Sequence, residues 1–140
     1  HMTVVRLLHN IASAPPLIVQ FMTIRDYAEI RNRFDEVVNM TSVELEEWLR
    51  TDESQRVGVK KSDDPAAESV GHASGRRIVE ILRKRIEQLT PEDYAHMRKV
   101  VGFVRRHTEQ RPENVYTSRW RYSLMNWGHD PLKEGGHCSR

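Results

Sequence analysis

Residues 90–110, "TPEDYAHMRKVVGFVRRHTEQ", constrain the fold more than any other stretch. Thr90 can cap a helix whose first position is Pro91, a residue that lacks an N–H where the helix needs none. Glu92 and Asp93 then face the positive end of the helix dipole. Advancing about 100° per residue puts Tyr94, Met97, Val100, Val101 and Val104 on one side and Arg98, Lys99, Arg105 and Arg106 on the other. The spacing predicts a helix over residues 91–110. Gly102 projects among the cations, where a glycine is less stable than alanine by about 1 kcal/mol. Close approach of another backbone, from DNA or a neighbouring helix, would explain a bare position there.

The rest of the chain repeats the helical period. Tyr27, Ile30, Phe34, Val37 and Val38 predict an amphipathic helix over residues 24–39. Thr41 and Glu44 make a capping-box pattern that opens a second helix, with Leu45, Trp48 and Leu49 inward and Gly58 closing the region. Residues 59–69, "VKKSDDPAAES", have charge, Ser and Pro but no period, and read as an exposed loop or linker. Ser74 and Gly75 open a third helix in which Ile78, Val79, Ile81, Leu82, Ile86 and Leu89 share one arc. Ser118 caps a last helix over residues 119–127, stopped by Gly128 and Pro131. No convincing strand alternation appears. The expected fold is all-α: a single compact domain of about five helices over residues 22–133.

The 140 residues are 38% hydrophobic and 30% charged, which suits one domain with a modest core. Residues 4–22 lean apolar, but Arg6, His9, Asn10, Pro15, Pro16 and Gln20 interrupt them, short of the roughly 20 clean residues of a membrane span. Ala12, Ser13 and Ala14 mimic a signal cleavage site, yet Pro15 would then begin the mature chain, so export is not expected. His1 and Met2 read as a tag remnant, residues 3–21 as an N-terminal extension with Met22 as an alternative start, and residues 134–140 as a flexible tail. Cys138 is the only cysteine, which leaves no disulfide framework and points to a cytoplasmic setting.

Charge is uneven along the chain. Residues 1–68 carry 8 Lys/Arg against 12 Asp/Glu, and residues 69–140 carry 14 against 8, for net charges of −4 and +6. Seventeen of the 22 cations are Arg, whose planar fork suits phosphate. The asymmetry predicts an electropositive C-terminal half able to meet nucleic acid or an acidic protein.

"SVGHASGRR", residues 69–77, has two readings. It is a tight turn ahead of a helix, or an anion site in which Gly71, His72, Ser74 and Gly75 form the turn and Arg76 and Arg77 close on a phosphate. The Gly-Lys-Ser/Thr ending of a P-loop is absent, and no strand precedes the segment as a dinucleotide fingerprint requires. The spacings of His72, His96, His107 and His129 match no standard zinc site, so neither metal nor cofactor is expected. His129 and Asp130 have no accompanying Ser or Cys nucleophile, and an enzyme is not expected. Trp120, Leu124 and Trp127 recur at the spacing of one buried face, which would turn Arg119, Arg121 and Tyr122 outward.

The blocks "SVGHASGRRIVEIL", "YAHMRKVVGFVRRH" and "WRYSLMNWGHDPLK", in that order, resemble the signature of a family of small uncharacterised bacterial and fungal proteins, a domain of unknown function. The resemblance runs from about Phe34 to Lys133 and includes "EVVNMTSVELEEWL". Bacterial members are often labelled DNA-binding, which implies nucleic acid as partner and assigns no site residue.

Together these observations predict a non-enzymatic DNA-binding protein that holds duplex DNA mainly by its phosphates. The contacts would come from Arg76, Arg77, Arg83, Lys84, Arg98, Lys99, Arg105, Arg106, Arg119 and Arg121, with Gly102 admitting close approach. The competing expectation is a helical interaction module or homodimer, with the acidic half of one copy against the basic half of another. No compact helix-turn-helix is evident.

Overall fold

A computed structural model describes residues 22–133; the expected N-terminal extension and C-terminal tail lie outside the described residues. Three threonines set helix starts. Thr23, Thr41 and Thr90 each accept a hydrogen bond from the backbone N–H three residues on, while Asp26, Glu44 and Asp93 reach back to the threonine N–H. Each box satisfies two donors that a helix N-terminus otherwise leaves bare. The elements are α1 (Ile24–Val37), α2 (Ser42–Leu49), α3 (Asp52–Arg56), α4 (Val70–Leu82), a 3-10 turn (Ile86–Gln88), α5 (Pro91–Thr108) and α6 (Arg119–Asn126). Among the described residues the only β feature is an isolated bridge between Lys60 and Ser69.

The fold is all-α, with six α-helices among the described residues where about five were expected. The additional one, α3, is a five-residue helix capped by Thr51, too short to show a period. A second correction concerns α4. It starts at Val70, where the Ser69 side chain accepts from the His72 N–H at 3.1 Å. Gly71, His72, Ser74 and Gly75 therefore lie inside a helix and do not form an anion-binding turn. The missing side chains of Gly71 and Gly75 serve packing. A Cβ on Gly75 would come within 2.6 Å of both the Asn126 carbonyl oxygen and a Leu49 methyl, and one on Gly71 within 3.0 Å of Trp127 Nε1. The helix also ends earlier, at Leu82, so Ile86 sits in the 3-10 turn with 47% exposure instead of on the buried arc.

Helix α1 packs on α5, α2 packs on α4, and α6 touches α2, α3, α4 and α5. The acidic half thus interleaves with the basic half. Phe34, Leu45, Ile78, Ile81, Met97 and Leu124 are fully buried at the centre. Trp120 and Trp127 are buried beside Leu124, as their spacing predicted. The Asn126 amide knots the centre: its Oδ1 accepts from Trp48 Nε1 at 2.8 Å and Ser54 Oγ at 2.5 Å, and its Nδ2 donates to the Ser54 carbonyl at 3.0 Å. Gly128, at φ +80°, accepts at its carbonyl from Asn39 and Met40 N–H groups and joins the chain end to the α1–α2 corner.

Arg121 does not point outward. Its Nε and Nη2 donate to Asp130 at 3.1 Å each and its Nη1 to the Tyr116 carbonyl at 2.9 Å, leaving the side chain 15% exposed. Tyr122 leans on Trp48, ring centroids 5.4 Å apart.

Candidate nucleic-acid interface

Phosphate must compete with whatever a cation already holds, and the structure divides the sequence-predicted cations into two groups. Arg76 donates to both carboxylate oxygens of Glu68 at 2.7 and 2.6 Å, and Arg83 to Glu46 at 3.3 and 3.1 Å. Arg77 and Lys84 converge on the buried Asp93 at 2.9 and 2.6 Å. Burial pushes the Asp93 carboxyl up, but hydrogen bonds from Lys84, the Thr90 backbone and Arg77 outweigh it and hold the group at about 2. The Arg76 hydrogen bond, above all, holds Glu68 at about 2. His72 is used as well: Nδ1 meets Glu68 and Nε2 donates to the Leu49 carbonyl at 2.7 Å. With Arg121 on Asp130, five of the ten predicted phosphate contacts are engaged inside the chain.

The other five are not. Arg98, Lys99, Arg105, Arg106 and Arg119 are exposed and make no side-chain hydrogen bond or ion pair among the described residues. Four of them lie with Gly102 on α5 in an arc roughly a third of the helix circumference wide, with Gly102 in its middle. On one side, Arg98 and Arg105 border a small cavity of about 190 Å³ with Ile30, Arg33 and Val101. On the other, Lys99 and Arg106, joined by Arg119 from α6, border a cavity of about 740 Å³.

The sequence did not predict the wall of the larger cavity. Trp127 stacks on Phe103 (4.3 Å, 14°), Phe103 on His107 (4.9 Å, 21°), and His107 on Trp120 (6.3 Å, 18°). His96 extends the stack beyond Trp127 at 6.2 Å and 9°. His96, Phe103 and His107 are spaced seven and four residues apart, a helical stripe that the sequence does contain. Val57, Val59 and Val70 complete the wall, and no Asp or Glu among the described residues lines it. Burial holds His107 below the ordinary histidine range, and its Nε2 is the one buried side-chain polar atom without a partner among the described residues. Such an orphan atom calls for a partner. Trp127 Nε1 also donates to nothing among the described residues.

His96 gives a pH prediction. Burial first, then the charges of Arg77 and Lys99, lowers it from 6.5 to about 4, and its Nε2 lies 2.9 Å from Ser74 Oγ. A histidine depressed in the folded state is protonated first in the unfolded chain. Its contribution is therefore complete above pH 6.5 and is lost as pH falls from there to about 4. Thermal melts across that window at constant ionic strength are expected to show a falling Tm, with a smaller fall in His96→Gln.

Gly102 gives a second. An added Cβ there would meet only the far end of Arg106, at 3.0 Å from Nη1, a side chain free to move. Among the described residues no atom of another helix lies within 4 Å of that Cβ. Gly102→Ala is expected to raise stability by about 1 kcal/mol, read as a higher Tm. Weaker DNA binding by the same variant would mark a backbone approach of DNA at this position.

The molecule is a helical domain with an unpaired cationic arc beside a ring-walled cavity. DUF3140, described as a protein of unknown function, matches residues 33–125, and the chain belongs to that family. No curated protein and no solved structure matches it. Among the described residues no group of three His, Cys, Asp or Glu could hold a metal ion, and no helix is long and apolar enough to cross a membrane.

Proposed function

We propose that the protein binds DNA through its phosphates, on the exposed face of α5 and the adjoining Arg119, without chemistry of its own, in the reducing interior of a cell. One observation carries the reading: five cations that make no side-chain hydrogen bond or ion pair among the described residues gather on one surface. A guanidinium already paired with a carboxylate must surrender that pair to bind phosphate, whereas Arg98, Lys99, Arg105, Arg106 and Arg119 hold no such pair among the described residues. The resemblance to proteins labelled DNA-binding points the same way. Association of copies through opposite charges has less to work with, because Glu46 meets Arg83 and Glu44 meets Lys133 within one chain.

Phosphate contacts release condensed counterions, so affinity for a labelled duplex should fall steeply between about 50 and 200 mM salt and vary little with sequence. Fluorescence anisotropy at several salt concentrations measures this. A flat salt response, or no binding at the lowest salt, rules the reading out.

A further inference from the structure

We propose that the cavity beside α5 takes one unpaired nucleotide of a single strand, its base inside and its phosphate on Lys99, Arg106 and Arg119. The inference rests on the DNA-binding reading and names the form of nucleic acid that the surface prefers.

Three features select the ligand. First, among the described residues the rim holds three cations without a hydrogen-bond or ion-pair partner and the lining no carboxylate, which calls for an anionic head. Second, the rings of Trp127, Phe103, His107 and Trp120 already face one another, so they turn mainly their edges to the cavity. Ring edges carry the positive part of the aromatic quadrupole and suit an electron-rich face or carbonyl oxygens. Third, the lining offers hydrogen-bonding groups with no side-chain partner among the described residues: Trp127 Nε1, the Ser123 hydroxyl and the Gln110 amide. A hydrocarbon tail would leave all three bare. A heteroaromatic base presents both donors and acceptors along its edge and can meet them.

The cavity, about 740 Å³, falls in the range that holds small organic ligands. In a duplex the bases are stacked and paired, so entry would require breaking those contacts to flip one out. A single strand needs no such step. The cationic arc would then grip phosphates of either form, and the cavity would add a term that only an unpaired base can supply.

The test uses the full chain at one fixed salt and three probes of equal length: a single-stranded DNA oligonucleotide, the same strand annealed to its complement, and an abasic strand. Affinity is read by anisotropy, and tryptophan emission reports the base, because Trp120 and Trp127 line the cavity while Trp48 is held by Asn126 elsewhere. The single strand should bind roughly tenfold tighter than the duplex and alter tryptophan emission, and the abasic strand should do neither. The double variant Gln110→Ala, Ser123→Ala removes two unpartnered groups without touching the cations, and should weaken single-strand binding severalfold with duplex binding unchanged. Equal affinity for single strand and duplex with unaltered emission overturns this inference and leaves the DNA-binding reading standing. Absence of salt-dependent binding to any probe overturns both.

Discussion

Trp127→Ala is expected to remove about 3–5 kcal/mol of stability, a large share of the roughly 5–15 kcal/mol that holds a domain together. Trp127 is 5% exposed and joins α6 to α5 through its stack on Phe103. Because its Nε1 holds no partner among the described residues, truncation orphans no hydrogen bond, and the loss comes from the void and the broken stack. In thermal unfolding the melting temperature should drop on the order of 10–20 °C. Trp127→Phe, which keeps a ring against Phe103, should fall far less. A variant with alanine here that melted like the parent would mean that the stack is not part of the core.

Asn126→Leu should destabilise by a similar amount for the opposite reason. Leucine matches asparagine in shape, so little void forms, but Trp48 Nε1, Ser54 Oγ and the Ser54 carbonyl are all left without their partner. Ser54 is fully buried and each orphaned group there costs about 1–3 kcal/mol, for a total of about 3–5 kcal/mol. Urea unfolding should show it as a lower midpoint with little change in slope. Ser54→Ala is the control. It removes one donor, leaves Asn126 Oδ1 to Trp48, and should cost about 1 kcal/mol.

These two positions also show where sequence reading stops. The helix starts at Thr41 and Thr90 were legible because a capping box is local, written within four residues. The apolar face of α5 and the burial of Trp120, Leu124 and Trp127 were legible because each face repeats at the helical period. The start of α4 was not. Gly71, Ser74 and Gly75 look like turn residues in isolation, and only the packed Leu49, Asn126 and Trp127 show why Gly71 and Gly75 are bare. Charge was legible as a sum and not as pairs. The excess of cations after residue 68 is plain, but Arg83 finds Glu46 across 37 residues and Arg77 finds Asp93 across 16, separations that only the fold closes. The cavity was hidden for a related reason. Phe103 and His107 lie on one stripe of α5, yet nothing in the sequence brings Trp120 and Trp127 against it.

In the proposed function unpaired cations on α5, and not the paired ones on α4, hold the DNA phosphates. The slope of log affinity against log salt for Arg106→Gln and Arg76→Gln on one duplex separates the two groups. Both side chains are exposed, and surface pairs such as that between Arg76 and Glu68 contribute about 0–1 kcal/mol, so both variants should stay folded. Arg106→Gln should bind more weakly and shift the slope by about one unit, the share of a single neutralised phosphate. Arg76→Gln should leave affinity and slope as they were. Equal weakening in the two variants, or none in either, would contradict the account.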